Sequence, residues 1–442
     1  MEKIIISFLL CALLLVSCGN PEGNDEGDSR KELILVTIGS TQTLQRQVYD
    51  FNQSNSAYYI TIDDYFGRRD ENMSPADIAS RYEDARLRLD ADIVASGMRR
   101  GKAPLDIIVL PSYSDYFRYA KKGYFEDLTK YLDEDNYCDV FDAIKLDDKL
   151  YGIFPYFSLI TMLMRDIPRD GDLFDTLASM QKEADYSILG QLSREWDFGI
   201  LMAFFLDEFI DWENMKCEFN HPRFITIAEV VKTRPAGSIP DTWNEYMEMY
   251  ESMLEAIKDN PFFIYAEVNS IYAVQGNRNI YGRDAIYTGF PGKENMLGVI
   301  IDVIYSIPKN TKNKKVAWEF INGIIDEDYQ LKNAVEYPGF PGIPVLWDAI
   351  ELTISNSQNE ENTYVEWSHW IGNQFNVSYV EPDIPEIFRN LLEKEWWIYQ
   401  GDEMIFQIIS EEMEFYFNDV KTLEQVIEII NNRVGLYLKE NM

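Results

Sequence analysis

Few residues in this 442-residue sequence are of types that do chemistry by themselves. There are two histidines, His221 and His369, and four cysteines, Cys11, Cys18, Cys138 and Cys217. No HExxH, CxxC or Cys/His cluster gives metal-ligand spacing, so no metal site is expected. Glycine runs of the P-loop or dinucleotide-binding kind are absent as well, and no cofactor is expected. Acids are plentiful, 75 Asp and Glu against 40 Lys and Arg, but nothing in the linear order singles out a carboxylate pair for acid–base work. No catalytic residue is assigned. What remains is a large supply of flat rings, 9 Trp, 28 Tyr and 25 Phe. Rings with a polar edge suit binding more than bond-breaking.

The formal net charge of −35 repels nucleic acid and anionic headgroups, which excludes a nucleic-acid partner. At the N-terminus an apolar stretch, Ile4 to Val16 with only Ser7 interrupting, is too short to span a bilayer. It suits the core of a secretory signal. It ends in Leu15-Val16-Ser17-Cys18, which resembles a bacterial lipobox. In signals of that class the peptidase cuts before the cysteine, whose thiol carries lipid. Residues 1–17 are therefore expected to be a signal peptide and Cys18 the lipidated residue. Residues 18–31 are expected to be a flexible tether, because Asn20 to Ser29 offers Gly, Pro and acids and nothing to bury. The body is expected to sit at the outer face of the cell membrane, held there by acyl chains alone. Cys138 and Cys217 are far apart in sequence, which leaves a disulfide between them open.

The elements that must position any binding group follow from hydrophobic patterning. Leu33 to Ile38 is a continuous apolar run ending at Gly39 and predicts a buried parallel strand. Leu44, Val48 and Phe51 predict a helix over Thr41 to Ser54. A strand at Tyr58 to Ile62 follows, then a helix opening at Ser74-Pro75-Ala76-Asp77 and carrying Ile78, Tyr82, Ala85 and Leu89. Asp106 to Leu110 predicts a third strand, and Asp115 to Lys122 a helix closed by Gly123. This alternation implies a parallel sheet with helices on both faces. From about Phe157 to Asn260 the chain reads as mostly helical. Sheet signals return at Asp284 to Thr288 and Val299 to Ile307. A helix with Val316, Ala317, Phe320 and Ile324 follows, and the C-terminus reads as helical throughout, with Thr422 and Gln425 as a capping box.

Several segments now stand in a recognisable order. They are Leu33–Ser40 with Val48-Tyr-Asp-Phe-Asn52, Asp106-Ile-Ile-Val-Leu-Pro111 with Tyr119 to Leu128, and Lys149-Leu-Tyr-Gly-Ile-Phe-Pro155. Gly289-Phe-Pro-Gly292, Ile307-Pro-Lys-Asn310, Ala317-Trp-Glu-Phe320 and the tail from Ile409 to Glu440 complete the set. Together they resemble the family 1 extracellular solute-binding proteins of ABC importers, the group that includes maltose-binding proteins. The stretch from about Ile167 to Asn260 matches least.

The resemblance implies an α/β, two-lobed periplasmic-binding-protein fold of type II-like character. Each lobe is a mostly parallel sheet flanked by helices, and hinge strands join them. Lobe one is expected at 32–150 plus 284–310, and lobe two at 151–283 plus 311–442 with the C-terminal helices. It further implies a solute held between the lobes, at loops beyond the carboxyl ends of parallel strands, and buried by hinge closure. The ligand-binding residues expected at those loops are Ser40, Ser112, Tyr113, Tyr156 and Tyr287, with Trp196 and Trp347 added from lobe two. Most other rings must be core or ordinary surface, Trp318, Trp367, Trp370, Trp396 and Trp397 among them. The implied protein is a monomeric, non-enzymatic lipoprotein that captures a small solute, a sugar or oligosaccharide, for ABC permease subunits. A surface glycoside hydrolase and a ligand-presenting sensor subunit are the competing readings.

Overall fold

The computed structural model describes residues 29–67, 75–98, 105–111, 116–132, 136–164, 194–234 apart from 213, 262–290, 296–336, 341–359, 364–367, 374–377, 380–398 and 403–441, with a few isolated positions between. In chain order the first elements are β1 (Lys31–Thr37), α1 (Gln42–Ser54), β2 (Tyr58–Asp64), α2 (Pro75–Met98), β3 (Ile107–Pro111) and α3 (Tyr116–Lys121). Next come β4 (Tyr156–Met164), α4 (Arg194–Phe209), β5 (Ile210–Asp211), β6 (Lys216–Cys217), α5 (Pro222–Lys232), β7 (Phe262–Val268) and α6 (Ile271–Tyr281). They are followed by β8 (Ile286–Thr288), β9 (Met296–Ile300), β10 (Val303–Ser306), α7 (Lys314–Asn322), α8 (Glu327–Glu336), β11 (Ile343–Pro344) and α9 (Trp347–Ser357). The last are β12 (Tyr364–Trp367), β13 (Gln374–Val377), α10 (Ile384–Leu392), β14 (Glu395–Ile398), α11 (Glu403–Phe417) and α12 (Leu423–Asn441).

The chain divides into two compact units. The N-terminal unit is the chain through Phe157 with Ile300–Asn356, and the C-terminal unit is Ser158–Val299 with Ser357–Met442. The sheet of the N-terminal unit has the order β10-β3-β1-β2. β1 pairs parallel with both β2 and β3, in register Leu33↔Ile60 and Leu35↔Ile107, while β10 closes the edge antiparallel to β3. Leu33, Leu35 and Val36 are wholly buried, as a strand covered on both faces requires. Thr41 caps α1 by accepting the Leu44 N–H at 3.1 Å. Gly123, at φ 70°, ends the turn after α3 as the spacing predicts. Asp106 ties later chain to this sheet. Its buried carboxylate accepts from the Ile34 N–H at 3.1 Å, from Asn313 Nδ2 at 3.0 Å and from the Thr311 hydroxyl.

In the C-terminal unit β4 is the organising strand, and all nine of its residues are buried. It pairs antiparallel with β7 and β8 and lies beside β9, which pairs parallel with β14. Thr161 spends its hydroxyl internally, donating to the Thr288 carbonyl at 2.7 Å. Gly298 is required where β9 meets β4, because a Cβ there would fall 2.8 Å from Ile160 Cγ1. α11 and α12 form a hairpin in which Arg433 bonds both Glu411 and Glu412 at 2.7 Å. The capping box at its turn is as expected: the Thr422 N–H donates to Gln425 Oε1 at 3.0 Å.

Three expectations change. The stretch read as helical from Phe157 opens with the strand β4, and β7 is a second strand at its end, since neither apolar run carries a helical period. The C-terminus is not helical throughout, because β12 and β13 form a hairpin and β14 joins the sheet. The compact units also divide elsewhere than at 150/151, 283/284 and 310/311. Residues 311–356 group with the N-terminal unit through Asp106 and through β11, which pairs with Tyr156 and Phe157. Residues 284–299 group with the C-terminal unit through β8 and β9. Residues 1–28, where the signal, the lipidated Cys18 and most of the tether are expected, lie outside the described residues.

The C-terminal unit also buries an ion pair, Asp197 on α4 with Arg234 at 2.8 Å. Burial outweighs the attraction of Arg234 and raises the Asp197 carboxyl from 3.8 to about 6. The protonated acid is thus the form this fold prefers. The stability it contributes is whole below 3.8 and is lost as pH rises through about 6. Urea unfolding at stepped pH between 4 and 7 should show a fall in stability for the wild type that Asp197→Asn lacks. Parallel curves for the two proteins would refute the raised pKa.

Candidate functional site

β1 is the point where the strand order of the N-terminal unit reverses, with β2 on one side and β3 on the other. Open α/β sheets leave a crevice at the carboxyl ends of strands at such a point. Ile38-Gly39-Ser40 follow β1 there, and Ser112 and Tyr113 follow β3 outside the described residues. Ile38 from this loop, Leu110 and Pro111 from β3, and Tyr82, Arg86, Leu89 and Tyr119 from the helices wall a recess of about 10 Å³. That is room for about one water.

The loop after β1 is held by a residue not singled out from sequence, Asp64 at the end of β2. Its Oδ1 accepts the N–H groups of Gly39 at 2.8 Å, Phe66 at 3.0 Å and Gly67 at 3.3 Å. Its Oδ2 accepts the Ser40 N–H at 2.8 Å. Ser40 itself is partly exposed, and its Oγ accepts from Gln45 Nε2 at 3.1 Å. A hydroxyl that accepts in this way still has its own proton to donate. The only hint in the sequence is an acid at a strand end just before Phe66-Gly67.

Tyr156 lies in a buried tyrosine group of the same unit. Tyr305 Oη donates to Gln47 Oε1 at 2.8 Å, and Gln47 Nε2 donates to Tyr329 Oη at 2.9 Å. Burial, with the Tyr329 and Tyr305 oxygens nearby, pushes the Tyr156 phenol well above its ordinary value. Among the described residues its hydroxyl has no hydrogen-bond partner. Trp347 is the first residue of α9 and is half-buried. It belongs to the N-terminal unit and not, as expected, to the second lobe.

In the C-terminal unit Tyr287 donates its hydroxyl to the Val274 carbonyl at 3.2 Å, and its ring packs on Leu163, Ala266 and Tyr281. Phe290, two residues past β8, is core: its ring stacks on Phe204 with centroids 3.6 Å apart, and Trp397 meets Phe204 edge-on at 5.7 Å. Trp196 falls in the first turn of α4, and its side chain lies outside the described residues. Trp318 is half-buried and stacks on Tyr131 in the N-terminal unit, with centroids 5.4 Å apart. Cys138 and Cys217 are free thiols. Burial pushes Cys138 up to about 12 and raises Cys217 as well, which leaves neither as a ready nucleophile. Among the described residues no group of His, Cys, Asp or Glu is placed to hold a metal, and no helix is long and apolar enough to cross a membrane.

Comparison with known proteins supplies the frame for this geometry. The family model described as bacterial extracellular solute-binding protein matches residues 82–331. No curated protein matches the chain. Among solved structures, the chain is similar to an ABC substrate-binding protein from Listeria monocytogenes in complex with cycloalternan, at 14% identity and a TM-score of 0.54, covering 93% of this chain and 100% of that one. It is similar also to the sugar-binding protein MalE from Xanthomonas citri, at 12% identity and a TM-score of 0.54, covering 93% and 98%. A third is a protein from Thermotoga lettingae bound with alpha-D-tagatose, at 14% identity and a TM-score of 0.52, covering 92% and 100%. Each of these likenesses shows the fold, an α/β binding-protein architecture.

The bare hydroxyl of Tyr156 makes a sharp test of its role. Removing an unsatisfied buried hydroxyl is neutral or favourable, so Tyr156→Phe should hold or raise unfolding stability, by up to about 1 kcal/mol. Chemical denaturation measures this. A loss larger than that would reveal a bond the phenol makes.

Proposed function

Since this chain belongs to the bacterial extracellular solute-binding protein family, we propose that it captures an uncharged carbohydrate outside the cytoplasm and hands it to an ABC importer. Support for a sugar comes from solved structures of the same fold, whose ligands include cycloalternan and alpha-D-tagatose and one of which is a chitin oligosaccharide binding protein. The observation that carries the reading is the loop after β1. It sits at the strand-order reversal and presents a Ser40 hydroxyl already oriented by Gln45. Sugar hydroxyls need donors and acceptors of this kind, and their C–H faces need flat rings. Ser40, Ser112 and Tyr113 are proposed as contacts, with Trp196 and Trp347 as stacking rings. Tyr156 and Tyr287 are proposed as supporting residues and not direct contacts, since one is buried and the other bonds inward. Lipid on Cys18, a tether over residues 18–31 and a monomeric body complete the proposal.

A ligand that binds only the folded state stabilises it by about 2.7 kcal/mol at a hundred times its Kd. A thermal-shift screen of mono- and oligosaccharides, amino acids and peptides should therefore give a saturable rise for a neutral sugar. A rise confined to peptides or amino acids, or none for any sugar, would overturn the carbohydrate reading. The anchor is tested separately: Cys18→Ser should move the protein from the membrane fraction to the soluble one. A variant that stayed with the membrane would remove Cys18 as the attachment point.

A further inference from the structure

The backbone at the carboxyl ends of β1 and β2 is shaped to hold a negative charge, and the chain supplies that charge itself. Four N–H groups from two loops converge on the Asp64 carboxylate, at 2.8 Å from Gly39, 2.8 Å from Ser40, 3.0 Å from Phe66 and 3.3 Å from Gly67. Gly39 and Gly67 have φ of 78° and 66°, the left-handed conformation that turns successive N–H groups toward one point. The N-terminus of the thirteen-residue α1 opens just beyond Ser40 and adds the positive end of its dipole. In other open α/β proteins an arrangement of this kind receives a ligand's phosphate or carboxylate. Here the fold has filled it from within, and among the described residues the carboxylate's partners are these N–H groups.

We propose that Asp64 is a specificity-determining residue of the solute surface. Its carboxylate saturates the N–H cradle, fixes the backbone of Ser40, and turns anionic solutes away from that loop. A second anion brought to the same place finds these four N–H groups already bonded and meets a like charge instead. A neutral hydroxyl finds the Ser40 Oγ, which accepts from Gln45 and still has its own proton to donate. The solute class rests on the carbohydrate reading above. The cradle and its internal anion are a property of the fold and do not.

Two measurements separate these. Asp64→Ser shortens the side chain and uncovers the cradle, so the variant should unfold at lower temperature in sodium chloride. Sodium sulfate at matched ionic strength should then raise it saturably, and by more than it raises the wild type. Sulfate's general salting effect is common to both proteins and cancels in that comparison. A folded Asp64→Ser that responds to sulfate no more than the wild type overturns the cradle. Should Asp64→Ser fail to fold, Asp64→Asn keeps one acceptor oxygen in the cradle and removes the charge, so it should unfold at lower temperature than the wild type, and an unchanged unfolding temperature overturns the cradle's demand for an anion. For selectivity, the wild type should bind the sugar found by screening at least tenfold tighter than its uronic acid. Asp64→Asn should narrow that ratio severalfold, whereas a purely structural role would weaken both alike. An unchanged ratio overturns the selectivity role, whichever way the sulfate comparison falls.

Discussion

β1 has to bury both of its faces, and most of the N-terminal unit is the geometry that permits it. Successive side chains of a strand point to opposite sides, and Leu33, Leu35 and Val36 are all wholly buried. A layer of helix must therefore cover each side. Right-handed crossovers place helices on opposite faces only when the chain leaves the strand toward opposite edges of the sheet. The order β10-β3-β1-β2 satisfies that demand, with β2 and β3 on opposite sides of β1. The polar surface at the strand ends thus follows from a packing requirement. Backbone N–H groups stranded there still need acceptors, and Asp64 provides one carboxylate for four of them.

The two units settle their buried charges differently. Asp106 sits under the first sheet with both oxygens bonded, to the Ile34 N–H and to Thr311 and Asn313, and so joins strands to a segment about 200 residues later. Asp197 is as deeply buried, yet its Oδ1 has no partner among the described residues and a single ion pair holds the other oxygen. A buried carboxylate is stabilised by the number of donors it meets more than by one opposite charge. Asp106 is accordingly a staple, while Asp197 is a site where ionisation costs stability.

How much could be read beforehand follows the same physics. β1, α1, α2, α7 and α12 are legible because one-sided apolar spacing, caps at Thr41 and Thr422, or an apolar run closed by Gly39 marks them. β4 is not, because a strand buried on both faces shows no alternation and looks like a stretch of core helix. The loop carrying Ser40 is the one to which the crevice rule for parallel sheets points. Asp64 is barely marked in the sequence, since it is one of 75 acids and its meaning depends on two loops meeting across 25 residues of chain. Tyr156 and Tyr287 have the right chemistry for a sugar, but spacing does not say which way a ring turns, and the Tyr287 hydroxyl turns inward.

Charge acts on this protein at two ranges, and they do different work. The net charge of −35 sets up a long-range field that slows the approach of anions. In physiological salt that field is screened over about 8 Å. At contact it cannot by itself distinguish a sugar from a sugar acid, because a few well-placed N–H groups would outweigh it. Open α/β folds offer such N–H groups at the carboxyl ends of their strands by construction. A surface meant for neutral solutes therefore needs its donors occupied locally, by an anion that cannot leave. A covalently attached carboxylate at the end of the neighbouring strand meets that need, and Asp64 stands where it must for both loops to reach it.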